Sequence, residues 1–438
     1  MTVRQIALSL LDEYELSGKY INLSLNSHLT DKLSGEEKGF LTALVYTSVE
    51  HKLTYDYYIG SISGRSVKDM DIHTLNILRL GLCQLIHIDS IPAFAAVNET
   101  VSLSRHKGER SFVNGILRTA ARLYENASLP MPDREKNSAR YLSVAYSYPL
   151  SLVKYFISLY GETETEELLR AFGGEPYTDV AVNTTLISRD GYLDLLREKG
   201  IEARASDRSS ISIRILGSCN PKSLPGFSEG YFFVQDEICT VSAEALEPNE
   251  GDRIIDVCAC PGGKSFAAAI LSGDNGEIVS FDLHLSKLSL IEKGSERLRL
   301  SSVRAEVRDA ILPCESLFDT ADRVICDVPC SGLGVLGKKA DMRYKELSSL
   351  DELPDLQYNI LSASSRYLKK GGILVYSTCT LNPKENEAVV EKFLASHPEF
   401  EALPFAFDDV RGEDGFFTAL PHKTNTDGFF IAKLRRKI

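Results

Sequence analysis

Two loops carry thiols in settings that suit covalent chemistry. Asp327-Val328-Pro329-Cys330-Ser331-Gly332 follows one apolar run, and Ser377-Thr378-Cys379-Thr380 follows another. Of the nine cysteines, Cys83, Cys219, Cys239, Cys314 and Cys326 read as buried apolar filler, the usual fate of a free cysteine. Cys330 and Cys379 differ because each stands in a loop. A thiolate adds readily to electron-poor carbon, and carbon 6 of a cytosine ring is such a centre. Carbon 5 of that ring is too weak a nucleophile to take a methyl group directly. Addition at carbon 6 turns the ring into an enamine, makes carbon 5 nucleophilic and moves electron density onto N3. A protonated carboxyl group near N3 can stabilise that change, and Asp327 offers a carboxyl group in the same stretch. A second thiol can assist the final elimination.

A third segment, Cys258-Ala259-Cys260-Pro261-Gly262-Gly263-Lys264-Ser265, follows a short apolar run. Its glycine pair lets backbone approach a ligand closely, and the helix that follows offers free N–H groups. It lacks the third glycine of the dinucleotide fingerprint and the four-residue spacer of a P-loop. Asp282 ends the next apolar run and suits a ribose diol, since one carboxylate accepts both hydroxyl protons. An aspartate there also reads as a helix cap, a role equally open to Ser286. Turn and acid together point to a nucleoside cofactor. Asp309, after a third strand-like run, can accept from an adenine amino group. A zinc site from Cys258, Cys260, Cys326 and Cys330 does not fit, because the spacings are C-x-C and C-x₃-C rather than C-x₂-C. No metal site is expected.

These loops need a scaffold that brings them together. Residues 3–125 carry apolar positions at helical spacing, as in Leu75, Ile77, Leu78, Leu82, Leu85 and Ile86, and predict an all-α domain over 1–127. The breaker cluster Leu129-Pro130-Met131-Pro132 opens a linker and a small α+β segment over 128–229. That segment has strands at 180–183 and 210–216 flanking a helix at 190–199. From 230 to 438 strand and helix alternate. Strands are expected at 253–258, 277–282, 323–327, 373–377 and 428–432, and helices at 264–271, 286–300, 354–369 and 383–394. Such alternation predicts an α/β, Rossmann-like domain with ligands at the carboxyl ends of its strands.

The composition, 43% hydrophobic and 25% charged, is that of a globular chain without a membrane span. The N-terminus lacks the apolar core of a secretory signal, and an odd count of scattered cysteines suits a reducing cytoplasm. A net charge of −12 argues against indiscriminate nucleic-acid binding. Positive charge is clustered, however: Lys338, Lys339, Arg343 and Lys345; Arg366, Lys369 and Lys370; Lys433, Arg435, Arg436 and Lys437. Each cluster reads either as a solvated face or as a local RNA-binding patch.

Three motifs, Asp256 to Lys264, Asp327 to Gly334 and Ser377 to Glu387, resemble in order and spacing the RNA cytosine-C5 methyltransferases of the Sun/Nop2 group. Asp427 to Leu434 looks like that family's end, and Gln235-Asp236-Glu237 like its lead into the catalytic domain. Residues 80–85, 91–101 and 112–118 resemble an RNA-binding helical domain of the NusB type. The combination is similar to bacterial 16S ribosomal RNA methyltransferases acting on cytosine 967. The resemblance implies that Cys258, Ala259, Cys260, Pro261, Gly262, Gly263 and Lys264 hold S-adenosylmethionine, with Asp282 at the ribose and Asp309 at the adenine. Asp327 would stand near methyl group and base, Cys379 would be the nucleophile, and Cys330 would help release the product. The implied partner is 16S ribosomal RNA or an assembling small subunit, bound by a cytoplasmic monomer. The alternatives are a transfer RNA or other ribosomal site, or a non-catalytic RNA-binding protein. Four positions depart from the family pattern: Cys260 replaces an alanine, Ser265 a threonine and Ala181 an arginine, and Lys339-Ala340-Asp341 lacks the usual proline.

Overall fold

The computed structural model describes residues 1–18, 21–29, 33–174, 177–217, 219–344 and 351–438. The chain divides into two units, Met1–Arg170 with Lys338–Leu347, and Ala171–Gly337 with Ser348–Ile438.

The first unit is helical: α1 (Val3–Ser17), α2 (Ile21–His28), α3 (Gly35–Glu50), α4 (Lys52–Ser63), α5 (Ile72–His87), α6 (Ala93–Val101), α7 (Lys107–Glu125), α8 (Ser138–Ala145), α9 (Leu150–Tyr160) and α10 (Glu162–Phe172). Capping boxes start α1 (Thr2 with Gln5) and α3 (Ser34 with Glu37), each side chain taking an N–H that the helix itself leaves unpaired. Helix α5 is buried on all sides from Leu75 to Leu85, so its polar residues must find partners inside. Arg79 meets Asp56 through two hydrogen bonds of 2.7 and 2.8 Å and Glu15 through one of 2.9 Å. Gly81 lets α7 approach, because a Cβ there would lie 2.6 Å from the Leu117 side chain.

A segment distant in sequence belongs to this unit. Arg343, only 2% exposed, pairs with Glu50 at 2.8 Å and stacks over Tyr148, and the Tyr344 hydroxyl donates to the Val49 carbonyl. The expected positive face around 338–345 is therefore corrected: Arg343 is a buried anchor. Lys345 lies outside the described residues.

The second unit begins with a four-stranded antiparallel sheet of order β2-β3-β1-β4, from β1 (Tyr177–Val182), β2 (Ala203–Ala205), β3 (Ser212–Leu216) and β4 (Phe232–Val234). Helix α11 (Arg189–Glu198) packs Tyr192 and Leu196 onto it, and α12 (Glu237–Glu244) follows. An eight-stranded mixed sheet completes the unit. Its elements are β5 (Arg253–Asp256), α13 (Gly263–Leu271), β6 (Glu277–Asp282), α14 (Leu285–Leu298), β7 (Val303–Val307), β8 (Ala321–Asp327), α15 (Leu353–Ser365), β9 (Leu368–Thr378), α16 (Glu387–Ser396), β10 (Phe400–Ala402), β13 (Phe416–Ala419) and β14 (Phe429–Arg436). A short hairpin, β11 (Phe405–Phe407) and β12 (Val410–Gly412), precedes β13. The strand order is β10-β14-β9-β8-β5-β6-β7, with β13 on β14. Strands β5 to β9 run parallel, and β14 runs antiparallel to β9.

Alternate residues feed two cores, as the period of two in a strand requires. Ile254, Ile278, Ile325 and Val375 pack on one face with α12 to α14; Ile255, Val279, Val324 and Leu374 pack on the other with α15 and α16. The chain runs outward through β5, β6 and β7, then returns to place β8 beside β5. A crevice forms at such a reversal, outside the carboxyl ends of the strands.

Some boundaries move from those expected. Helix α15 stops at Ser365, and Lys369 stands in β9 instead. Helix α16 starts at Glu387, not Pro383, because residues 383–386 form a turn. Among the described residues no helix is long and apolar enough to cross a membrane.

Candidate active site

Strand β5 ends in Asp256, which has no exposed surface. Its Oδ2 accepts from Ser265 Oγ at 2.7 Å, and Ser280 Oγ donates onward to Ser265 Oγ at 2.8 Å. This chain ties β5, α13 and β6 together beneath the glycine loop. Burial pushes the Asp256 carboxyl up to about 7, opposed by the Ser265 hydrogen bond and assisted by the charge of Asp327. The loop turns at Gly262, where φ is +110° and a Cβ would lie 2.5 Å from the Phe266 ring. The Cys260–Pro261 peptide is cis. Helix α13 then starts without a side-chain cap, so its first N–H groups are open to a ligand. Burial raises the thiols of Cys258 and Cys260.

Asp282 closes β6. Its Oδ1 accepts the His284 N–H at 2.9 Å, and Ser286 makes no cap to α14. Asp309 lies just past β7, with Oδ1 accepting the Ile311 N–H at 3.1 Å. Both carboxylates thus stand at the same sheet edge as the glycine loop.

Asp327 ends β8. Lys264 Nζ reaches its Oδ2 at 2.7 Å and Ser377 Oγ donates to its Oδ1 at 2.7 Å. Burial alone would push the Lys264 ammonium down; the charge and hydrogen bond of Asp327, with Cys239 and Asp256, together outweigh it, and the net shift is upward. Asp327, expected to offer a carboxyl group, is thus met at one oxygen by the Lys264 ammonium and at the other by the Ser377 hydroxyl. The ammonium also lies 5.0 Å over the Phe429 ring.

Strands β8 and β9 pair Asp327 with Ser377, which sets the two thiol loops side by side. The Cys330 and Cys379 sulfurs are 3.1 Å apart, and both residues are half-buried. The hydrogen bond to Cys379, burial, and the charges of Cys379 and Glu385 all push the Cys330 thiol well up. The remaining cysteines divide: Cys83 and Cys326 are buried, while Cys219, Cys239 and Cys314 are only partly so.

Sequence reasoning missed Asp256, Ser265, Ser377 and Glu385 as supports. The polar run Asn382 to Glu387, placed where a helix was expected to begin, was the available signal for Glu385. The C-terminal and 366–370 basic clusters are largely tied within the chain: Lys433 to Glu247, Arg435 to Glu401, Arg436 to Asp319 and Lys369 to Asp322.

Residues 243–435 match a family described as 16S rRNA methyltransferase RsmB/F. Residues 1–122 match the NusB family, and residues 148–221 match the ferredoxin-like domain of RsmF/B-like methyltransferases. The chain is 35% identical to a Bacillus subtilis protein named "Probable ribosomal RNA small subunit methyltransferase B", covering 100% of this chain and 99% of that one. It is 31% identical to the Pseudomonas putida ribosomal RNA small subunit methyltransferase B, over 96% and 95% of the two chains. The solved structure of PH0851 superposes with a TM-score of 0.78 at 26% identity, covering 98% of this chain and 97% of that one.

Proposed function

The chain belongs to the ribosomal RNA small subunit methyltransferase B family, and from that premise we propose that it methylates carbon 5 of a cytosine in 16S ribosomal RNA, at position 967, through a covalent Cys379 adduct. The single observation that carries this reading is the pair of sulfurs, 3.1 Å apart, beside the Lys264–Asp327 pair at the sheet's carboxyl edge.

S-adenosylmethionine is the methyl donor and supplies an electrophilic methyl group. The residues present fit it: an uncapped helix start behind a glycine turn for its charged and polar groups, Asp282 for the ribose and Asp309 for the adenine. Cys258 to Lys264 form the wall of that site.

Cys379 attacks as the thiolate, forming a sulfur–carbon 6 bond, while the Lys264 ammonium on Asp327 donates toward the charge that gathers at N3. Carbon 5 takes the methyl group. The carbon 5 proton must then leave and the sulfur–carbon 6 bond must break. Cys330 passes its proton to the departing Cys379 sulfur and recovers one from carbon 5, so both bonds are settled and the ring regains aromaticity. The helices within 1–127 and the segment over 128–229 would hold the RNA, and 230–438 would do the chemistry. We place this work in the cytoplasm, by a monomer, on ribosomal RNA or an assembling small subunit.

The test is methyl transfer to 16S ribosomal RNA, read by bisulfite sequencing. Cys379→Ala is expected to abolish the modification while S-adenosylmethionine still binds, because the thiol lies outside the glycine loop. Normal turnover by that variant refutes the mechanism. Modification at another ribosomal position, or on transfer RNA, would correct the target alone.

A further inference from the structure

Glu385 is a fully buried carboxylate in the turn between β9 and α16. Its Oε2 accepts the Ser331 backbone N–H and Gln357 Nε2, both at 2.9 Å, and its Oε1 accepts Asn382 Nδ2 at 2.8 Å. Gln357 Nε2 also donates to the Pro329 carbonyl at 2.9 Å. Both residues flanking Cys330 are thereby held by one cluster, rooted in the turn that follows Cys379. Ser331 Oγ meets Thr380 Oγ1 at 2.6 Å, and the Gly334 N–H donates to the Cys379 carbonyl at 3.0 Å, so the two loops are laced on each side of the sulfurs. Among the described residues Glu385 makes no ion pair; the groups that donate to its oxygens are neutral N–H donors. A buried charge so placed is costly unless it does something that a neutral side chain cannot.

We propose that Glu385 is a positioning residue for methyl transfer, which fixes the distance between the two sulfurs and makes them unequal by setting a buried negative charge against the Cys330 loop. The inference rests on the proposed roles of Cys330 and Cys379 and explains how two like side chains divide them. The charge disfavours a second anion at Cys330, whose thiol is pushed up by Cys379, by burial and by Glu385 itself. Tyr376 is packed here too, its hydroxyl donating to the Glu385 carbonyl at 2.6 Å, with Cys326 and Asp327 close enough to act on it. With Cys330 kept as a thiol, a proton is in place for release of the Cys379 sulfur.

The test is alkylation of the full-length protein by iodoacetamide across pH 6–10, resolved by peptide, with no RNA present. Glu385→Gln keeps an oxygen for Ser331 and Gln357 and removes the charge. The Cys330 midpoint is expected to fall by about one pH unit or more, the effect of removing a neighbouring like charge. A Cys330 profile that superimposes on the parent's overturns the proposal. Gln357→Leu tests the positioning half and decides it even where Glu385→Gln does not fold. It keeps the charge, cuts the tie to Pro329 and relieves the unpartnered Gln357 Oε1. Closure of a Cys330–Cys379 disulfide by diamide should slow about threefold or more, since a loosened pair loses its proximity; unchanged closure overturns the proposal. Neither readout involves methylation, so a failure of Cys379 as nucleophile is a separate result.

Discussion

Asp256→Asn should change how the protein's stability depends on pH. The carboxyl is fully buried beneath the glycine loop, accepts from the Ser265 hydroxyl at one oxygen, and is pushed up by burial to about 7. An acid whose folded value lies above its unfolded one binds more protons when folded, so stability falls as pH rises through that window. From 3.8 in the unfolded chain to about 7 in the folded one, the native state loses about 4 kcal/mol once both forms are ionised. About 2–3 kcal/mol of that loss falls between pH 5 and pH 8.5. Asparagine has the same shape and no charge. Its amide leaves one buried donor without a partner at a cost of about 1–3 kcal/mol, but that cost does not change with pH. The assay is urea unfolding of parent and variant at pH 5 and pH 8.5, followed by the transition of the sheet unit. The variant should gain about 2–3 kcal/mol on the parent between the two pH values. Parallel pH profiles would refute the reasoning, because they would mean that Asp256 ionises alike in both states.

Two further outcomes follow from the site. Cys330→Ala removes the proton donor for release, so a covalent protein–RNA adduct that survives denaturation should accumulate; the Cys330/Cys379 double alanine variant should form none, read by a mobility shift on denaturing gels. Gly262→Ala places a Cβ in a left-handed conformation and 2.5 Å from the Phe266 ring, costing about 1–3 kcal/mol, so S-adenosylmethionine should bind about tenfold or more weakly by calorimetry.

The candidate loops were legible because they break apolar runs. Glycine, proline, cysteine and aspartate at the end of a buried strand are local signals, and the structure brings Cys330 and Cys379 together where those signals stand. Their supports were not legible, for two reasons. Lys264 and Asp327 lie far apart in sequence, and only the return of β8 to the side of β5 makes them partners. The turn at 383–386 looked helical because Pro383 suits a first helical position. Yet Asn382 and Asn386 bind neighbouring backbone, and those bonds favour a turn. The basic clusters misled for a related reason. Strand alternation turns Lys433 inward to 3% exposure, where it pairs with Glu247, so a run that reads as one positive patch is split between two faces.

The reversal of strand order also brings three of the candidate loops to one place at the sheet edge. The glycine loop leaves β5, the Asp327–Cys330 loop leaves β8 beside it, and the Cys379 loop leaves β9 on the far side of β8. Asp327 is the middle member. One oxygen faces Lys264 from the glycine loop and the other faces Ser377, two residues before Cys379. A shift of the glycine loop must therefore move Lys264, then Asp327, then the strand end that precedes Cys379. The glycine loop and the Cys379 loop are held in register by one carboxylate. An ion pair this far buried gives back little more than the desolvation of its charges costs. Its position between the two loops is a stronger reason for its presence than its energy.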